Sequence, residues 1–182
     1  MGKMEAPGPL RTSLALVFCD IAGSTRLIAQ EGDLVASAVF HEFFEHASRL
    51  SREHHCRMIK FVGDSFLAAF ENTDDVMPFI ISVENLLSQN SMFVGRLAGF
   101  YFSLHYGDVL YIETSYGNDV FGEAVSVVAY LNDLKLLNEV VISQAALEQM
   151  PSNYQARAGA GQSRSFKGVG DVEFHRIRLT GP

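Results

Sequence analysis

Residues 13–25 read SLALVFCDIAGST. Ser13–Cys19 is a short apolar run rich in strand formers, the pattern of a buried strand. It stops at Asp20, and Gly23, Ser24 and Thr25 follow directly. Ser24 or Thr25 can cap a helix. The helical spacing of Val35, Val39, Phe43, Phe44, Ala47 and Leu50 carries that helix to about His54, with a break or kink expected at Gly32.

Outward from this unit, Cys56–Val62 and Ser65–Phe70 are strand-like runs joined by Gly63-Asp64, a strong hairpin signal. Asp74–Ser88 reads as a second helix and residues 89–99 as an irregular link. Phe100–Gly107 and Val109–Glu113 are expected to form a further hairpin turning at Gly107-Asp108, followed by a loop over Gly117–Phe121. Gly122–Leu137 reads as a third helix, Glu139–Ile142 as a strand, Ser143–Met150 as a short helix and Tyr154–Leu179 as two or three closing strands. The expected fold is α+β, with helices against a sheet built largely from hairpins. It lacks the strict alternation of a doubly wound dinucleotide fold. Residues 1–12, with Pro7, Gly8 and Pro9, are expected to be a disordered leader, and residues 13–180 a single domain.

Composition narrows the function. The chain has 182 residues, 48% hydrophobic and 19% charged, enough for a core without staples. Its formal net charge of −7 disfavours a phosphate-backbone partner, so no nucleic-acid partner is expected. A polyphosphate ligand would need a local cation, most simply a bound metal. No apolar run approaches a membrane span, and the N-terminus has no secretory h-region. Cys19 and Cys56 make no disulfide framework and are expected to be reduced and buried, in a cytoplasmic protein.

Asp20 ends a buried strand and Asp64 sits at a hairpin tip, so each carboxylate stands at a rigid edge. Two converging carboxylates suit Mg²⁺, which takes hard oxygen ligands and few of them from protein. The Gly23–Thr25 turn offers backbone N–H groups at a helix N-terminus, a ready anion site. Taken singly, Asp20 could merely cap its helix and Asp64 merely suit its turn.

Four stretches in register resemble the catalytic domain of class III nucleotidyl cyclases, the adenylate and guanylate cyclases. They are FCDIAGST at 18–25, KFVGDSFLAAF at 60–70, NDVFGEAV at 118–125 and SFKGV at 165–169. The resemblance implies a ferredoxin-like βαββαβ core with extra C-terminal strands and a head-to-tail homodimer. It implies that Asp20, Asp64 and the backbone carbonyl of Ile21 bind two Mg²⁺ (or Mn²⁺) ions. It implies that Gly23, Ser24 and Thr25 receive the nucleotide phosphates, with Lys167 as the local candidate for a phosphate-binding lysine. Lys60 and Asp119 match the base-reading pair, contributed by the chain opposite the metal aspartates. That pair is the adenine-type choice, because an ammonium can donate to a ring nitrogen and a carboxylate can accept from a 6-amino group. ATP is therefore expected ahead of GTP, and the implied reaction makes 3′,5′-cyclic AMP and pyrophosphate.

The match breaks in the third helix. Ser126 and Tyr130 stand where the family carries an Asn that orients the ribose and an Arg that stabilises charge on the transferring phosphate. Tyr130 supplies no positive charge at neutral pH. Losing one such donor typically costs ~10²–10³ in rate. Lys135, five residues on, is expected to face elsewhere. The alternative to a working cyclase is a degenerate cyclase-like dimer that binds nucleotide or a partner without turnover. Other motifs carry less. The stretch HEFFEH at 41–46 lacks the i, i+4 histidines of a zinc helix, and position 22 is Ala where an aspartyl-phosphate phosphatase needs a second acid.

Overall fold

The computed structural model describes residues 9–115 and 117–179. The strands are β1 (Leu10–Ala22), β2 (Met58–Val62), β3 (Ser65–Phe70), β4 (Gly99–Thr114), β5 (Gly117–Phe121), β6 (Glu139–Ser143), β7 (Gln162–Phe166) and β8 (Gly170–Arg178). The helices are α1 (Ser24–Glu53), α2 (Val76–Gln89), α3 (Glu123–Asn132), α4 (Gln144–Leu147) and α5 (Ser152–Gln155), with a 3₁₀ turn at Thr73–Asp75. All eight strands join one sheet in the order β2-β3-β1-β4-β6-β8-β7, with β5 folded back on β4. Only the β4–β6 pairing is parallel.

The first half is the expected βαββαβ unit, its strands ordered β2-β3-β1-β4. β1 is central, and its alternating residues enter two different cores. Ala15, Val17, Cys19 and Ile21 pack beneath α1 and α2 with Phe43, Phe66, Phe79 and Phe100. Leu14 and Leu16 face the other way, onto Val109, Val120, Ala124 and Val128 beneath α3. Burial on both faces explains why the run is continuously apolar rather than alternating. Phe43 stacks on Phe100 at 4.7 Å and on Phe66 at 6.0 Å, tying α1 to two strands of the sheet, β4 and β3, through one side chain. Gly32 interrupts α1 with φ 81°, the expected kink. A smaller core of Val127, Leu131, Val141 and Phe174 joins α3 to β6 and β8.

Several boundaries differ from expectation. β1 begins at Leu10, so residues 10–12 of the expected leader are strand, paired with β4. Residues 1–8 and Thr180 lie outside the described residues. Gly107-Asp108 is not a turn: β4 runs straight through it because the longer β1 supplies partners, Leu14 for Gly107 and Ser13 for Asp108. The Ser13 hydroxyl donates to Asp108 at 2.6 Å, and Arg11 pairs with the same carboxylate. Gly107 is needed for space, since a Cβ there would lie 2.9 Å from His105 Nε2 and 3.1 Å from the Ala124 methyl. The hairpin instead joins β4 to β5, and residues 117–121, expected as loop, are strand. α3 stops at Asn132, five residues short of expectation, and the short α5 has no counterpart in the sequence reading. Cys19 is buried as expected, whereas Cys56 is only partly so; both are free thiols. Among the described residues no helix is long and apolar enough to cross a membrane.

The packing at Gly107 predicts that Gly107→Val destabilises the fold by about 1–3 kcal/mol through overpacking, although valine is the better strand former. Urea denaturation measures it. Glu84 on α2 predicts a pH effect. Burial raises its carboxyl to about 7, and its Oε2 has no hydrogen-bond partner among the described residues. The folded state thus holds this proton more tightly than the unfolded state. Glu84's contribution is most favourable below about pH 4.5 and is lost as pH rises through about 7. Glu84→Gln should therefore gain stability over the parent between pH 5 and pH 8, seen as a widening difference in urea midpoint.

Candidate active site

The edge that carries Asp20 is built by strand register. Asp20 on β1 pairs with Ser65, the first residue of β3, and the Ile21 N–H donates to the Asp64 carbonyl at 3.3 Å. The tight β2–β3 turn, with Gly63 at φ 62°, therefore holds Asp64 beside the end of β1. Ser65 Oγ lies 3.0 Å from Asp20 Oδ1 and 3.5 Å from Asp64 Oδ1, bridging the two carboxylates. Sequence reading did not single out Ser65. Its signal was its place one residue after the turn acid, directly opposite Asp20. Ser65 is buried, and the two acids are half-buried.

Directly after β1, Gly23 takes φ 90° to start α1. The first turn of α1 contains no acidic residue to neutralise its N-terminal pole, and Arg26 projects back over Gly23. Ser24 is buried and Thr25 exposed. The turn is thus an open set of N–H donors adjoining the carboxylate pair, suited to an anion.

The structure brings Lys60 and Asp119 together. β2 and β5 are far apart in sequence, yet Lys60 Nζ lies 2.5 Å from Asp119 Oδ2. Asp119 Oδ1 also accepts from the Val120 N–H at 2.9 Å, which fixes the carboxylate. The pair lines a cavity of about 470 Å³ with Ile59, Ile112, Thr114, Asn118 and Phe121, so apolar and polar side chains share its wall. Lys60 pairs with Leu67, and Leu67 with Phe18, so Lys60, Ser65 and Asp20 all stand on the α3 face of the sheet.

The third helix gives a different picture. Ser126 is exposed, and Tyr130 stacks on Phe166 of β7 at 5.3 Å with ring planes 7° apart. Arg164 lies over the same Phe166 ring at 6.0 Å. Lys167 is exposed in the β7–β8 turn and forms no ion pair among the described residues. Lys135 overturns its expectation. It does not face away from the site; it forms an ion pair with Asp20 Oδ2 and lies 4.8 Å from the Tyr101 ring centroid. The error came from extending α3 to Leu137. With the helix ended at Asn132, residues 133–135 form turns, and the side chain swings toward β1.

The model of the adenylate and guanylate cyclase catalytic domain matches residues 10–178. The chain belongs to that family. No curated protein matches the chain by sequence. Among solved structures, the guanylyl cyclase Cya2 aligns with a TM-score of 0.82 at 18% identity, covering 96% of each chain. A dimeric guanylyl cyclase domain from the fungus Blastocladiella emersonii aligns with a TM-score of 0.75 at 12% identity, covering 92% of this chain and 97% of that one. An adenylate cyclase from Trypanosoma brucei, in its monomeric state, aligns with a TM-score of 0.69 at 17% identity, covering 91% and 89%. The fold is that of class III nucleotidyl cyclase domains, and it is shared by members named for either base.

The donors at the Asp20 edge of this cyclase domain fit a hard divalent ion. Two carboxylates, a hydroxyl and the adjoining Ile21 carbonyl are all oxygens, and the Lys135 ammonium already stands on one of them as a cation. Among the described residues no three His, Cys, Asp or Glu side chains gather as a metal cage, so water or phosphate oxygens would complete the shell. The Lys60–Asp119 pair is partly exposed, at 45% and 25%, and so has little structural worth. Lys60→Met should change stability by less than about 1 kcal/mol in thermal or urea unfolding.

Proposed function

We propose that this cyclase domain converts ATP to 3′,5′-cyclic AMP and pyrophosphate at the interface of a homodimer, with two Mg²⁺ or Mn²⁺ ions. The observation that carries the reading is the convergence of Asp20 and Asp64 on one edge through Ser65, beside the bare N-terminus of α1.

Each residue then has a task. Asp20, Asp64 and the Ile21 carbonyl hold the metal. A metal held there would lower the pKa of the ribose 3′-hydroxyl and offset charge on the α-phosphate. The backbone N–H groups of Gly23, Ser24 and Thr25 receive phosphate oxygens, and Lys167, exposed in its turn, is the candidate for a further phosphate contact. Lys60 donates to a ring nitrogen of adenine, and Asp119 accepts from the 6-amino group. Guanine would set its O6 acceptor against the Asp119 carboxylate, so rejection comes from repulsion as well as from lost pairing. Before a base arrives the two groups satisfy each other, so neither is left unpaired.

The homodimer reading is supported by apolar residues on the sheet. Leu110 and Phe121 are paired across β4 and β5 on one face and exposed at 44% and 50%. An exposed apolar pair of this kind is better covered by a partner than left in water.

A second reading has its own observation. Ser126 is short and Tyr130 is engaged with Phe166, so α3 brings neither the ribose amide nor the phosphate guanidinium of the family. On that reading the domain binds nucleotide without turnover. Purified protein incubated with ATP or GTP, and with Mg²⁺ or Mn²⁺, separates the two. The proposed function expects cyclic AMP from ATP in excess of cyclic GMP from GTP. Metal-dependent ATP binding with no cyclic product favours the second reading. On either, Asp20→Ala and Asp64→Ala should each weaken metal-dependent ATP binding by about 10²-fold or more without loss of fold, read by calorimetry and circular dichroism. Unchanged affinity in both variants overturns the metal assignment.

A further inference from the structure

We infer that Lys135 is a tethered counter-ion of Asp20 that a divalent metal must displace, so that this one lysine sets the metal affinity of the site. The inference rests on Asp20 being a metal ligand.

Both oxygens of Asp20 are engaged: Oδ1 by the Ser65 hydroxyl and Oδ2 by the Lys135 ammonium. Asp64 forms no ion pair among the described residues, so the internal cation is directed at one of the two acids. The segment that delivers it is anchored on both sides. Arg176 donates to the Leu134 carbonyl at 2.7 Å. Leu137 lies so close over Gly99 that a Cβ at residue 99 would come within 2.6 Å of its Cδ2. Gly99 and Tyr101 pair with Ala22 and Asp20, so this anchor holds the segment against the strands that carry the site. The backbone is thus held in place while the side chain is 34% exposed, on a flexible four-carbon stem. The Tyr101 ring gives the ammonium a second favourable contact.

A metal ion and an ammonium cannot both take Asp20 Oδ2. A ligand whose competent state is only partly populated binds with its affinity reduced by that fraction. If the Lys135–Asp20 pair is closed about nine-tenths of the time, the apparent metal affinity falls about tenfold. The competitor is part of the chain, so dilution does not weaken it. Divalent charge on the entering ion, and the second carboxylate of Asp64, favour the exchange once metal is abundant.

The test uses the full chain and Mn²⁺ alone, without nucleotide, titrated by electron paramagnetic resonance of the free ion. Lys135→Met should bind Mn²⁺ about 3- to 10-fold more tightly than the parent, Lys135→Gln should do the same, and Lys135→Arg should keep the weak parental affinity. Adding Asp20→Asn to Lys135→Met should abolish the gain. Unchanged or weaker Mn²⁺ binding in the folded Met and Gln variants, with Asp20→Asn still weakening the parent, overturns the role of Lys135 alone. Asp20→Asn that leaves parental Mn²⁺ binding intact overturns the metal reading as well. A second measurement needs no variant to fold: on adding Mg²⁺ to the parent, the Lys135 ammonium resonance should move to that of a solvated lysine. A resonance that stays in place while Mg²⁺ binds counts against displacement.

Discussion

β1 lies between β3 and β4 and under helices on both faces, and almost everything else in the domain is placed by that burial. A strand without a solvent face has no room for a polar side chain from Leu14 to Val17 or at Cys19. Asp20 is therefore the first polar side chain after this run on the α3 face, and it emerges where the β2–β3 turn reaches the same edge. The carboxylate pair is a product of the core: shift β1 by one residue against β3 and Asp20 would turn into the phenylalanine cluster instead. The rigidity of that cluster, with Phe43 stacked on Phe66 and Phe100, holds the edge in register.

Electrostatics at this edge run against the chain as a whole. The net charge is −7, yet the site gathers the N-terminal pole of α1, Arg26 and the Lys135 ammonium around two acids. An acidic protein that handles a nucleotide triphosphate needs such a local reversal, because phosphate would otherwise be repelled. The basic groups come from two places distant in sequence, the start of α1 and the turn after α3. Each is short of charge alone, and together they make a place where either a metal or an anion can be accommodated.

α3 carries Ser126 and Tyr130, and the structure gives the tyrosine a definite environment. Tyr130 is not an unfilled position; its ring lies flat on Phe166 and, through it, near Arg164. The cation that follows α3, Lys135, reaches the Asp20 edge of its own chain.

The hairpin at Gly63-Asp64, the helix that follows Gly23, the kink at Gly32 and the βαββαβ core were legible in the residues. Each depends on neighbours within a few positions: apolar periodicity, a tight turn, a positive φ that glycine permits. So were Asp20, Asp64, Lys60 and Asp119 as candidates, because edge acids after buried strands stand out locally and their spacing matches a family. The continuity of β4 through Gly107-Asp108 was not legible. A glycine followed by an acid reads as a turn, and only the pairing of Leu14 and Ser13 with those residues, 93 and 95 positions away, makes them strand. Ser65 became a bridge only when β3 was laid against β1. Lys135 was misread for the same reason: helical periodicity ran past Asn132, but Leu137 packing on Gly99 and Arg176 holding the Leu134 carbonyl bend the chain back over Asp20. What a residue does through its immediate neighbours, the sequence determined. What it does through partners brought from far along the chain was decided by tertiary packing, because side-chain direction follows from contacts that no local pattern encodes.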